Sequence, residues 1–330
     1  MSGLSSTLEA LINLLADGRW HSGEDLGAAL DISRAAVSKQ LKQLSSIGLE
    51  VERVQGTGYR LVSPLDLYTR EGIFSRIPAS LVKNVAELHL FSVVESTNTF
   101  FMDKLSNGER IHAELCLAEQ QRSGRGRRGR EWHSPFAQNI YFSVAWHFDG
   151  GVSAIEGLSL AIGVAVSRAL ETLGVTGVEL KWPNDLLVND KKLGGILIEL
   201  GGDAVSDCVA VIGVGLNVHM QHDQSDALDQ PWTSLANLGA KVTKNAVAAA
   251  FITELLPLLE TYQDRRFLSY LDAWNRRCAY KGSQVRLLAA DHHVDGDLIG
   301  VDQSGALLLK LSGGQEKAFV GGELSMRKRP

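Results

Sequence analysis

The stretch Gly124-Arg125-Gly126-Arg127-Arg128-Gly129-Arg130, followed by Trp132 and Ser134-Pro135, decides how this chain is read. Five arginines (Arg122, Arg125, Arg127, Arg128, Arg130) and three glycines fall within nine residues. Glycine lets the backbone come close to a ligand, and arginine grips phosphate through paired hydrogen bonds. Glycine also loses the most backbone freedom on folding, so such a loop is expected to be mobile when empty and fixed when filled. Taken alone, the run fits a solvated or nucleic-acid-facing patch as well as a phosphate clamp. The rest of the chain must decide.

The 330 residues carry a net charge of -5 and are 45% hydrophobic, which is ordinary globular composition for two or three domains. A nucleic-acid role therefore has to rest on a local patch. No apolar run reaches the ~18–20 residues of a membrane span, and the N-terminus carries no secretory pattern. No membrane partner is expected. Cys116, Cys208 and Cys278 stand singly, which suits reduced thiols in the cytoplasm better than a disulfide or zinc framework.

Residues 1–65 read as three helices and a hairpin. Leu4, Leu8, Leu11, Ile12 and Leu15 recur at helical spacing, with Ser6 and Glu9 as a capping box. Ser22 caps a second helix and Ser33 a third, striped by Val37, Leu41 and Leu44. The third helix exposes Arg34, Ser38, Lys39 and Lys42, and no acidic residue occurs between Asp31 and Glu50. Those side chains suit phosphates and base edges. Leu49–Val54 and Tyr59–Leu61 then form a hairpin. This is a winged helix-turn-helix pattern. A small helical docking module is the alternative.

Pro64 through Arg70 reads as a connector, and residues 66–277 form the large segment. Strands are expected at Ala86–Val94, Leu115–Glu119, Ile140–His147, Val178–Trp182, Leu186–Val188, Leu193–Leu200 and Cys208–Val218. Ser153 to Leu173 reads as one helix capped with Glu156, and Asn245 to Arg277 as a second helical region. The order suggests an α+β arrangement, a mixed sheet with helices on one side. Residues 278–330 read as a small β-barrel of strands Ser283–Ala289, His293–Val301, Ala306–Leu311 and Glu316–Val320.

Two further elements carry chemistry. In Lys181-Trp182-Pro183-Asn184-Asp185 and Lys192-Leu193-Gly194-Gly195, Asn189-Asp190 is a turn pair. Lys191 suits solvent, whereas Lys192 leads into an apolar strand and can project into a cleft as a point charge for carboxylate or phosphate. Ser96-Thr97-Asn98 fits either a helix cap or a set of polar groups for a neutral ligand.

Together these motifs closely resemble the family of bifunctional biotin–protein ligases that also repress the biotin operon. The resemblance rests on Ser96-Thr97-Asn98, Gln121, the arginine loop, Trp132, Ser134-Pro135, Lys181–Asp185, Lys192-Leu193 with Gly195-Ile196-Leu197, and Gly213-x-Gly215-x-Asn217. It extends through the N-terminal helices and to Gly305–Leu309 and Gly321-Gly322-Glu323. It implies a multidomain chain: a winged helix-turn-helix, a catalytic domain like that of class II aminoacyl-tRNA synthetases, and an SH3-like β-barrel. It implies formation of biotinyl-5'-AMP from biotin and ATP with Mg²⁺. Transfer follows, to a lysine of the biotin carboxyl carrier protein of acetyl-CoA carboxylase. It also implies an adenylate-bound homodimer on biotin operator DNA.

The resemblance assigns catalysis to Lys192, Arg125, Arg127 and Asp185. It assigns biotin to Ser96, Thr97, Asn98, Gln121, Arg125, Gly126, Arg127 and Lys192, and the adenylate to Arg128, Trp132, Asn217 and Trp232. Operator contacts fall to Ser33, Arg34, Ser38, Lys39 and Lys42, and no resident metal is implied. Arg122, Ser123 and Ala137 depart from the family pattern, the last where glycine is common. The alternatives are a biotin-sensing transcription factor without ligase activity, a lipoate–protein ligase, and a ligase with a degenerate N-terminal domain.

Overall fold

The computed structural model describes residues 3–203, 207–221, 230–289, 292–321 and 324–328. Gly322 and Glu323 of the C-terminal motif lie outside the described residues.

The first unit contains α1 (Ser6–Leu15), α2 (Gly23–Leu30), α3 (Arg34–Leu44), β1 (Val51–Val54) and β2 (Gly58–Leu61). Ser22 and Ser33 cap α2 and α3 as expected, each accepting from the backbone N–H three residues on. The cap of α1 is Ser5 rather than Ser6, because the Ser5 hydroxyl reaches Leu8 N. Leu8, Leu11, Leu15, Val37, Leu41 and Leu44 close a core of their own. That core also takes in Val93, Phe136 and Ala137 from the central unit. Ala137 adopts a left-handed φ of 57°, which explains why glycine suits that position.

The central unit runs α4 (Arg70–Phe74), α5 (Ala79–Val82), β3 (Glu87–Val94), α6 (Thr97–Ser106), β4 (Glu114–Gln121) and β5 (Asn139–Asp149). It continues with α7 (Leu158–Thr172), β6 (Glu179–Lys181), β7 (Asp185–Val188), β8 (Lys191–Asp203), β9 (Asp207–Asn217), α8 (Lys244–Arg265) and α9 (Leu271–Arg276). The strands form one sheet in the order β3-β4-β5-β9-β8-β7-β6. Among the described strands only β3 and β4 pair in parallel, so the sheet is mixed. Side chains alternate across it. Leu115, Leu117, Phe142 and Val144 face the core containing α7 and α8, while Cys116, Ala118 and Ala145 face Phe100 and Phe101 of α6. Helices thus cover both faces, not one.

Both long helices are shorter than their apolar patterns suggest. Gly151–Ile155 is a separate 3-10 turn, and α7 starts only after Gly157, whose φ is 72°. Ser153 therefore caps nothing there; its hydroxyl donates to Gly150 O. The second region breaks at Arg266, with φ 53°. Gly151–Thr172 is long and apolar enough to cross a membrane, but most of it is buried inside the protein.

The connector is not loose. Asp66 accepts from His219 at 3.1 Å, and Asn245 donates to Leu67 O at 2.8 Å. Tyr68 N donates to Glu119 Oε1 at 2.7 Å, and the other Glu119 oxygen pairs with the fully buried Lys244. Burial pushes the Glu119 carboxyl up, against the pull of Lys244.

The C-terminal unit is a five-stranded antiparallel sheet ordered β13-β12-β11-β10-β14. Its strands are β10 (Gln284–Leu288), β11 (His293–Val301), β12 (Leu307–Lys310), β13 (Glu316–Phe319) and β14 (Ser325–Lys328). The last was missed from sequence. Its core residues Val285, Leu298, Leu309 and Met326 merge with that of the central unit. Trp182 Nε1 donates to Gly305 O at 3.1 Å across the junction.

Candidate active site

One cavity opens between the C-terminal edge of β3, the arginine loop, the β7–β8 hairpin and β14. Its lining includes Ser96, Thr97, Asn98, Gln121, Arg125, Gly126, Arg127, Arg128, Trp132, Asp185, Lys192, Asn217 and Trp232. Every residue assigned to biotin, adenylate or catalysis therefore faces one space.

The first wall is neutral and polar. Ser96 caps α6, and Ser96, Thr97 and Asn98 are all buried. Cap and cavity wall are one structure, so neither reading of this motif excludes the other. Thr97 N donates to Gln121 Oε1 at 3.0 Å, and Gln121 Nε2 donates to Ser134 Oγ at 3.3 Å. Ser143, buried on β5, joins the wall through Thr97 and Asn98 at 2.7 and 2.6 Å. Sequence reasoning missed Ser143; the only signal was a serine inside an apolar strand.

The second wall is cationic. The loop folds back on itself, with Gly126 N donating to Arg130 O at 2.7 Å and Trp132 N to Gly124 O at 2.8 Å. Arg128 holds a left-handed φ of 61° at its tip. Arg127 donates to Asn184 Oδ1 at 3.4 Å, and burial pulls its guanidinium below the usual arginine value. Arg125 forms a bidentate pair with Glu199, which the sequence left without a role. Lys181, also given none, lines the cavity, and burial lowers its ammonium.

The third wall is the hairpin. Asn189 and Asp190 both take positive φ, the geometry of a tight hairpin turn. Lys191 is exposed and Lys192 half-buried, as expected. Lys192 N donates to Pro231 O and Thr233 N to Lys192 O, both at 2.9 Å, which fixes Trp232 beside the strand. Asn217, at the end of β9, donates to Thr233 O at 3.0 Å. The Trp132 ring lies against β8 and β9 so closely that a Cβ on Gly215 would come within 2.6 Å of it. The Trp132 Nε1 atom is buried without a hydrogen-bond partner among the described residues. Such an orphan donor suits a ligand acceptor.

The proposed operator residues lie on α3, away from this cavity. Ser33, Arg34, Lys39 and Lys42 are exposed and Ser38 is half-buried. Ser33 spends its hydroxyl on the helix cap. Two clusters among the described residues could hold a metal ion, Glu87-His89-Glu114 and His147-Asp149-Asp207, and neither lines the cavity. In the first, Glu114 is already paired with Lys104 at 2.8 Å.

Fold and site together define a class: a mixed-sheet core holding one polar and cationic cavity, with a helix-turn-helix ahead of it and a β-unit behind. Residues 90–217 match the biotin/lipoate A/B protein ligase family, 7–60 an HTH domain, and 281–327 the biotin protein ligase C terminal domain. The bifunctional ligase/repressor BirA of Salmonella typhimurium is 40% identical over 317 residues, 96% of each chain. That of Bacillus subtilis is 30% identical over 92% of this chain and 93% of its own. A biotin protein ligase from Aquifex aeolicus, solved with biotin and ATP, superposes with a TM-score of 0.64 at 27% identity. It covers 74% of this chain and 100% of its own. The chain belongs to the family of bifunctional biotin ligase/repressors.

Proposed function

We propose that this protein activates biotin with ATP to biotinyl-5'-AMP and passes the biotinyl group to a lysine of the biotin carboxyl carrier protein. We propose further that the adenylate-filled form represses the biotin operon. One observation carries the reading: a neutral polar wall, a cationic loop and the Lys192–Asp185 pair share one cavity.

Ser96, Thr97, Asn98 and Gln121 hold the ring end of biotin. Arg125 and Gly126 form the root of the loop that covers it. Arg127, Arg128 and Lys192 neutralise the carboxylate and phosphates as they approach, which makes positioning and electrostatics the main contribution. No side-chain nucleophile is needed, because the biotin carboxylate itself attacks the α-phosphorus and pyrophosphate leaves. Trp132, Asn217 and Trp232 receive the nucleotide, with the Trp232 indole against adenine. Mg²⁺ would accompany the phosphates, held mainly by substrate oxygens, because the cavity carboxylate Asp185 is paired with Lys192 at 2.8 Å. When bound it adds charge neutralisation at those oxygens. The closed loop keeps water from the mixed anhydride until the carrier lysine arrives.

For regulation, Ser33, Arg34, Ser38, Lys39 and Lys42 contact operator DNA, and a homodimer presents two such helices to two half-sites. Adenylate promotes this dimer more than biotin does. Sedimentation with each ligand tests that, and equal dimerisation constants would contradict it. The domain boundaries that go with this reading are 1–65, 66–277 and 278–330, in a cytoplasmic protein.

Transfer of labelled biotin to a carrier domain with ATP and Mg²⁺ tests the ligase reading, and a gel shift on operator DNA tests repression. A shift without transfer would favour a sensor lacking ligase activity.

A further inference from the structure

Glu199 is an acid in the otherwise apolar run Gly195–Leu200, and the chemistry above makes no use of it. Its carboxylate holds two groups at once. Both oxygens accept from Arg125 Nη2, at 2.9 and 3.1 Å, and Oε1 also takes Arg125 Nε at 3.3 Å. Oε2 accepts from Asn98 Nδ2 at 2.8 Å. The last arm of the guanidinium donates to Thr99 Oγ1. The positive charge of Arg125 is therefore compensated inside the protein, and all three of its guanidinium nitrogens are engaged.

Asn98 is fixed by the same contact. Its amide nitrogen also donates to Leu197 O at 3.3 Å, so Asn98 Oδ1 is left to accept from Ser143 Oγ at 2.6 Å. A hydroxyl has one proton. With that proton on Asn98, Ser143 cannot also donate to Thr97, so the Thr97 hydroxyl donates to Ser143 or to Gln121. Gly213 locks the arrangement, because a Cβ there would stand 2.5 Å from Asn98 Oδ1.

We infer that Glu199 is a positioning residue for the cavity. It anchors the root of the arginine loop through Arg125, and through Asn98 it sets the direction in which the wall hydroxyls donate. Arg125 acts as a staple and not as a cation for the phosphates. The wall half of this inference rests on the biotin reading; the anchor half does not.

The test uses full-length protein carrying Glu199→Gln, which keeps the shape and removes the charge. Two measurements are made: trypsin cleavage after Arg127–Arg130 without ligand, and biotin KM against kcat in biotin-dependent ATP–pyrophosphate exchange. Charge-assisted bonds of this kind shift such equilibria by about tenfold. Cleavage is expected to quicken about tenfold and KM to rise about tenfold, with kcat within about twofold. Arg125→Ala should match it in cleavage, the double variant should cleave no faster, and Glu199→Asp should recover part of both losses. Unchanged cleavage overturns the anchor, and unchanged KM overturns the wall. A fall in kcat at constant KM, or additive single effects, overturns both. Should the wild type show no biotin-dependent exchange, the biotin reading fails along with the wall, and cleavage still decides the anchor. If Glu199→Gln does not fold, Arg125→Lys carries the cleavage measurement and Glu199→Asp the KM measurement, with the same signs expected.

Discussion

Lys192 Nζ lies 2.8 Å from Asp185 Oδ1, and a one-residue bulge makes that meeting possible. In the β7–β8 ladder Asp185 faces Gly195 and Leu186 faces Gly194, but Leu187 faces Lys192, so Leu193 is the extra residue. Side chains alternate along a strand. Without the bulge, Lys192 would point to the opposite face. With it, the ammonium shares a face with Asp185 and stands 5.5 Å from the Trp132 ring. The hairpin is built to aim one cation.

Lys192→Met should therefore slow adenylation about 100-fold or more while biotin KM moves little, the pattern of a charge needed mainly at the transition state. Single-turnover formation of biotinyl-5'-AMP measures it. An equal rise in KM with unchanged rate would assign Lys192 to ground-state binding instead.

Gly215→Ala should disable the site and spare the fold. The added methyl would meet Trp132 Cε2 at 2.6 Å and Cζ2 at 2.7 Å, so the indole must move. Misplacement of about 1 Å near a reacting centre can cost about 100-fold. We expect a loss of that order in kcat/KM, with far-UV circular dichroism unchanged.

Arg127→Ala should leak the adenylate. The guanidinium is half-buried over the cavity and tied to Asn184, so its removal opens the loop on the phosphate side. The dissociation rate of biotinyl-5'-AMP should rise about tenfold or more, and a wild-type rate would refute the lid.

Much of this was legible in the chain, for a physical reason. Helix caps, turn glycines and alternating strands are local, so Ser22, Ser33, Asn189-Asp190 and all seven strands of the central sheet could be anticipated. The arginine loop and Lys192 announced themselves by charge next to apolar sequence. The breaks at Gly157 and Arg266 did not, because apolar spacing continues through both. Strand β14 was hidden by its composition: Ser325-Met326-Arg327-Lys328 has one apolar residue, and pairing with β10 supplies the rest. Glu199, Ser143 and Gly213 gain meaning only from partners far away in sequence.

Lys244→Met should destabilise the protein by about 3–5 kcal/mol, because it leaves the Glu119 charge buried and unpaired. Combining it with Glu119→Leu should recover most of the loss. Urea unfolding of the three proteins checks this, and additive losses would show that the pair does not act as a unit.

Acid should destabilise the fold through His112. Burial, aided by nearby His147, lowers this imidazole from its ordinary 6.5. The unfolded chain then binds the proton first, so stability falls as pH drops through 6.5 and levels off below the folded value. His112→Gln should flatten the midpoint of urea unfolding between about pH 7 and pH 5. An identical pH slope in both proteins would contradict it.

The most direct measurement is ATP–pyrophosphate exchange by the purified protein with Mg²⁺, comparing biotin with lipoate. Label should enter ATP only when biotin is present. No exchange with biotin, or equal exchange with lipoate, would contradict the assignment of this cavity to biotinyl-5'-AMP.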